Sequence, residues 1–393
     1  MTPVSAGINP LLTAMNEAPI PAAAAWLRQY EGGAGPAIDL SQAVPGQPPE
    51  PVLLDALAAA AASPEAARYG AILGDDALRA ALARDIATTY GGEVEAADIA
   101  VTAGCNQAFF VAMLTLARAG DEVILPTPWY FNYKMTLDML GVTAVPLPCS
   151  AAAGFVPDVE TARGLITPRT RAIVLITPNN PTGAVYDAET IAAFQRLAAA
   201  SGIHLVVDET YRDFLPARHS GTPHRLFAAA GWRDHVVHLY SFSKSYAVPG
   251  HRIGAVAAGP RLLAQLTKVM DSLQICAPRT GQIAIAGTMP ALAEARGRMR
   301  ATFNARAEVF SAEIAAVDGW SIGSIGAYFA YVRHPFNAPG EEVAQGLARQ
   351  QGVLCLPGAF FGPGQDQYLR MAFANVGEDR LRGISRRLAA FRA

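Results

Sequence analysis

Residues 236–254 read VVHLYSFSKSYAVPGHRIG: a short apolar run, Val236–Tyr240, that empties into a turn carrying Ser241, Ser243, Lys244 and Arg252. A strand whose carboxyl end delivers polar side chains is how open α/β sheets build their sites. Working outward, six more runs have the same character: Ile99–Thr102, Glu122–Leu125, Thr143–Leu147, Ala172–Ile176, His204–Val207 and Ala255–Ala258. Between them lie Ala/Leu-rich stretches with helical spacing, Ala188–Ser201 among them. This alternation predicts an α/β fold with a mainly parallel seven-stranded sheet covered by helices.

The 393 residues suffice for two or three domains. From about residue 290 the pattern changes to a long Arg/Ala/Glu helix (Ala291–Val317), short strands near Ala327–Val332, Gly352–Cys355 and Tyr368–Ala372, and a terminal helix. The expected division is an extended arm over residues 1–45, punctuated at Pro36 and Val44-Pro45-Gly46 and packing on the smaller domain; a large domain over 46–289; and a smaller α+β domain over 290–393.

Net charge is −2 and the pI near 6.4, with no basic stripe, so the expected partners are small molecules and not nucleic acid. Apolar residues make up 51%, but the alanine-rich runs at 22–25 and 56–62 are interrupted well short of the roughly 18 residues needed to span a bilayer. No membrane helix is expected. The start, MTPVSAGINP, lacks a basic segment followed by an apolar one, which makes the cytoplasm the default location. Cys105, Cys149, Cys276 and Cys355 lie far apart without metal-ligand spacing, so they read as reduced and structural, with no metal site.

Lys244 is one of only three lysines, beside Lys134 and Lys268, in a chain that writes nearly every positive charge as Arg. Lysine is kept where an amine must lose its proton and attack a carbonyl, because arginine cannot do so. Ser241, Ser243 and Arg252 flank it as an anion cradle, so a phosphorylated carbonyl cofactor, pyridoxal 5'-phosphate, fits both features. Asp208 ends the run His204–Val207, where its carboxylate would keep a pyridine nitrogen protonated or simply cap the next helix. Tyr211 and Asn180 are candidates to donate to the cofactor's ring oxygen, although Asn180-Pro181-Thr182-Gly183 is also a good turn sequence. Gly104, Cys105 and Asn106 open a helix after a strand and could face the phosphate with backbone amides. Among the aromatic residues Trp129, Tyr130 and Phe131, one could stack on the ring. Arg370, a charge inside an apolar strand, needs a carboxylate: a substrate's or an internal Asp or Glu.

Taken together and in their order along the chain, TPNNPTG, DETYRDF, SFSKSYAVPGHRIG and YLRMAFA resemble the motifs of the class I/II aminotransferases, fold-type I pyridoxal-phosphate enzymes; the resemblance runs from about residue 36 to the end. It implies that Lys244 is the Schiff-base lysine and general base, Asp208 the partner of the pyridine nitrogen, Tyr211 and Asn180 those of the ring oxygen, and Tyr130 the stacking ring. It likewise implies that Ser241, Ser243, Arg252, Gly104, Cys105 and Asn106 hold the phosphate and Arg370 the substrate carboxylate, with Asn180, Ala43 and Val44 also at the substrate. Tyr69 resembles a tyrosine lent across a homodimer interface. His251 and Cys105 depart from the usual family residues, and Ser41–Gly46 is richer in small apolar residues than versions associated with acidic substrates. The implied reaction is ping-pong amino transfer between an L-amino acid, aromatic or apolar by the hint of Trp129, Tyr130, Phe131, Tyr328 and Phe360, and a 2-oxo acid. Arg279 is the candidate to meet an acidic side chain instead. C–S β-elimination on the same scaffold and a non-catalytic ligand-sensing module are the alternatives.

Overall fold

The computed structural model describes residues 7–393. Seven strands form its large sheet: β2 (Ile99–Thr102), β3 (Glu122–Thr127), β4 (Thr143–Pro148), β5 (Thr170–Ile176), β6 (His204–Asp208), β7 (Val236–Ser241) and β8 (Gly254–Ala258), after a two-residue β1 (Ile38–Asp39) that lies elsewhere. Their order is β2-β8-β7-β6-β5-β3-β4, and all pairs are parallel except those of β8, which runs antiparallel to both β2 and β7. All seven expected strands are present.

Strand periodicity explains the layering. Ile173 and Leu175 of β5, Leu205 and Val207 of β6, and Tyr240 of β7 enter one apolar cluster, while Ala172, Val174, Val206, Val237 and Leu239 enter the cluster on the opposite face. Both faces are buried, so these strands read as nearly continuous apolar runs. The helix Ala188–Ala200 begins at Asp187, whose side chain accepts from the Thr190 amide at 2.7 Å.

A second sheet has the order β12-β13-β10-β9, all antiparallel, with β9 (Ser321–Gly326), β10 (Phe329–Arg333), β12 (Leu356–Pro357) and β13 (Tyr368–Ala372). The strand β9 was not expected, because SIGSIG carries two glycines and is half-buried, leaving no clear alternation. Gly352, expected in a strand, instead ends the helix Gly340–Gln351 with φ +62°; β11 (Val353–Leu354) starts after it and pairs in parallel with β1. The arm is not extended throughout: it forms helices at Pro10–Thr13 and Pro19–Leu27, and proline at the first position helps start each. Among the described residues no helix is long and apolar enough to cross a membrane.

Candidate active site

The carboxyl ends of β5, β6 and β7 open on one chamber of about 250 Å³. Lys244 projects into it from the short helix Phe242–Ser245, which follows β7 directly. Its Nζ donates to the Ala43 carbonyl, and among the described residues no carboxylate accepts from it. Burial, reinforced by the Arg252 and Arg370 cations, pushes the Lys244 amine down to about 8. Near pH 7 roughly a tenth of the amine is therefore neutral, far more than for an ordinary lysine, and the neutral amine is the nucleophilic form.

Asp208 ends β6, is 5% exposed and lines the same chamber. One carboxylate oxygen accepts from the Tyr133 hydroxyl and the other from the Thr210 amide at 2.8 Å. Burial pushes its pKa up against both hydrogen bonds. Asp208 caps no following helix; it faces the cavity. The hydroxyl of Tyr133 was not anticipated. Its only signal is position, three residues past Tyr130 on the helix Phe131–Met139, where a buried phenol needs a partner.

Arg370 lies on β13, 2% exposed, with its guanidinium 5.0 Å from the Phe329 ring and 5.2 Å from that of Phe361. Among the described residues no Asp or Glu bonds to it. Nη1 donates to Asn180 Oδ1 at 3.2 Å, Nη2 to the Ser41 carbonyl, and buried Nε has no partner. Burial pushes its pKa down to about 10, so it remains a cation at neutral pH. A buried cation with an orphaned N–H at a chamber wall is built to receive an external anion.

At the opposite end, Arg252 (φ +50°) lies over the start of the helix Cys105–Leu116. A Cβ on Gly104 (φ +87°) would come within 2.2 Å of the Arg252 guanidinium, and one on Gly254 within 2.5 Å of the Gly104 backbone. Glycine at both positions lets cation and helix N-terminus converge, and both are positive groups that favour an anion. Ser241 and Ser243 line the chamber beside them, with Ser241 Oγ accepting from the Ser243 amide at 3.3 Å. Cys105, Asn106, Tyr130, Asn180, Tyr211, Ala43 and Val44 complete the enclosure. Tyr130 donates to Asn106 Oδ1 at 3.4 Å.

Tyr69, Trp129, Phe360, Arg279 and Tyr328 fall outside this chamber. Tyr69 is 78% exposed on the surface. Trp129 and Phe360 line a separate cavity, and Arg279 is engaged by its own chain, bonding Asp75 at 3.0 Å and Glu65 at 3.1 Å. The reading of Arg279 as a free receptor for an acidic side chain is therefore corrected: its charge is already neutralised. Tyr328 is fully buried among Tyr211, Phe214 and Phe303.

Known proteins are similar to this chain in sequence and in fold. A family model described as aminotransferase class I and II matches residues 36–388. The aspartate/prephenate aminotransferase of Thermus thermophilus is 30% identical over 328 residues, 81% of this chain and 82% of that protein. The arginine–pyruvate transaminase of Pseudomonas aeruginosa is 30% identical over 323 residues, 82% and 81% of the two chains. An Escherichia coli protein with a methionine aminotransferase function superposes with a TM-score of 0.89 at 26% identity, covering 98% of this chain and all 100% of its own.

Proposed function

The chain belongs to the class I and II aminotransferases, a family of pyridoxal-phosphate-dependent transferases, and from that premise we propose that it moves an amino group between an L-amino acid with an aromatic or apolar side chain and a 2-oxo acid by a ping-pong route. The observation that carries this reading is the convergence of an unpaired amine (Lys244), a buried carboxylate (Asp208) and an uncompensated guanidinium (Arg370) on one chamber.

These residues fit pyridoxal 5'-phosphate. Asp208 would hold the ring nitrogen, Tyr211 and Asn180 the ring oxygen and Tyr130 the ring face. Ser241, Ser243, Arg252 and the backbone of Gly104, Cys105 and Asn106 would hold the phosphate. When bound, the cofactor supplies an aldehyde for the amino group and an electron-accepting ring for the electrons released at the α-carbon. Arg370 fixes the α-carboxylate, and its neighbour Asn180 orients that guanidinium. Lys244 takes the α-proton and returns it one position away, a task suited to an amine held near 8. There is one Arg370 and one Lys244 for both substrates, so the first product must leave before the second substrate enters. The active unit in this reading is a cytoplasmic homodimer, with exposed Tyr69 reaching the neighbouring site.

The test is the visible spectrum of the cofactor-loaded protein across a panel of amino acids. Bleaching by particular donors, reversed by a 2-oxo acid, is the expected result. Release of ammonia and pyruvate from a cysteine conjugate without amino exchange would reassign the reaction to C–S elimination. Failure to retain the cofactor at all would overturn the reading of Lys244.

A further inference from the structure

The chamber of about 250 Å³ is smaller than the ~300–1,000 Å³ of typical small-ligand sites, yet under the proposed reaction it must admit a cofactor and an amino acid together. With the α-carboxylate at Arg370 and the α-carbon at Lys244, the side chain has to extend beyond it. Two other cavities share walls with the chamber. One, beneath Tyr130, has only about 10 Å³. The other has about 420 Å³, and Phe131 is the wall between it and the chamber. The helix Pro19–Leu27 borders both, giving Ile20 to the chamber and Pro19, Ala22 and Trp26 to the neighbour.

The chemistry of this second cavity is selective. Trp26, Trp129, Phe131, Phe360 and Met135 make its walls, with the Trp26 and Phe360 rings 6.3 Å apart and tilted by 36°. Such walls suit another ring or a long aliphatic chain. Its charged groups are Glu17, Asp138, Glu341 and Lys134, and Lys134 is neutralised by Asp138 at 2.6 Å. The remaining carboxylates, Glu17 and Glu341, oppose an acidic side chain by like-charge repulsion. Arg279, the other candidate to attract one, is already paired.

We propose that this cavity is the side-chain subsite, that Phe131 is the specificity-determining residue at its entrance, and that the substrates are L-amino acids with large apolar or aromatic side chains. The proposal rests on the aminotransferase reading. Phe131 contacts Tyr130 at 5.2 Å and Phe361 at 5.7 Å in tilted geometry, contacts that a swung ring and an entering side chain can exchange.

Filling the cavity from either side tests it. Ala22→Phe narrows it from the N-terminal helix and Ala359→Leu from the opposite wall, so a folding defect in one leaves the other informative. In the holoenzyme, the ratio of kcat/KM for L-phenylalanine to that for L-alanine should fall at least about tenfold in each folded variant. Calorimetry should show 3-phenylpropionate binding more tightly than succinate to wild type, with that preference lost in the variants. A ratio and a preference within about twofold of wild type in both variants, or a wild-type preference for succinate, would overturn the proposal. If no donor exchanges at all but 3-phenylpropionate affinity still follows the two variants, the aminotransferase reading fails while the subsite stands.

Discussion

Two groups of buried charge lie back to back around the turn Tyr211–Asp213, and they are treated in opposite ways. Behind the turn, Arg212 pairs with Asp85, Asp85 with Arg296 at 3.2 Å, and Arg296 with Asp213 at 3.1 Å. Asp213 also accepts from the hydroxyls of Tyr240, at 2.8 Å, and Ser245, and Arg212 stacks 3.9 Å from the Tyr240 ring. Two cations alternate with two anions. In front of the turn, Lys244 has a backbone carbonyl, Arg370 a carbonyl and an amide oxygen, and Asp208 a phenol and an amide N–H, with no ion pair among them. A paired buried charge fixes backbone. An unpaired one is held at a disadvantage that a charged ligand relieves, so the two clusters separate scaffold from chemistry.

If that division is right, the largest effect comes from Lys244→Ala. Single-turnover amino exchange should fall by about 10²–10⁴-fold or more from loss of the base alone. The cofactor-free protein should melt no earlier than wild type, since the amine it loses has no counter-charge. A variant that loses both activity and several degrees of thermal stability would place Lys244 with the scaffold.

The next pair of variants sets one cluster against the other. Arg370→Met should lose about 2–5 kcal/mol of kcat/KM, expressed as weaker binding of the substrate carboxylate, with stability unchanged or improved. Asp213→Asn should lose about 3 kcal/mol of stability, because it strips a counter-charge from Arg212 and Arg296 in a site only 15% exposed. Urea unfolding of both cofactor-free variants, with steady-state kinetics of the loaded forms, reads the contrast. If Asp213→Asn is as stable as wild type, the rear cluster is not scaffold.

The sequence carried the front cluster better than the rear one. Lys244, Asp208 and Arg370 stand out because each is a charge in or beside an apolar run. The strands of the large sheet were readable for the related reason that burial on both faces leaves unbroken apolar stretches, whereas the Gly-containing β9 and the arm helix Pro19–Leu27 offered no such pattern. Pairings across the fold were not readable: Arg279 meets Asp75 and Glu65 across 204 and 214 residues, and Arg212 meets Asp85 across 127. Tyr133 reaches Asp208 across 75 residues, and nothing local names its partner. Trp129 and Phe360 were seen as pocket residues, but that they line a second cavity behind Phe131 depends on four separate stretches of chain meeting in space.

The smallest expected effect is also the most direct measure of how far Lys244 is from being a paired charge. Its folded pKa of about 8 lies below the ordinary 10.5, so between those values the folded protein binds fewer protons than the unfolded chain. Stability contributed at this site therefore rises with pH across that window, because the folded state no longer has to keep the amine charged. Other groups titrate in alkali as well, and comparison with Lys244→Met cancels them. Denaturant midpoints of the two cofactor-free proteins should differ in favour of the variant near pH 7 and converge towards pH 10. A difference independent of pH would mean that the amine titrates as an ordinary lysine, and the front cluster would lose its defining member.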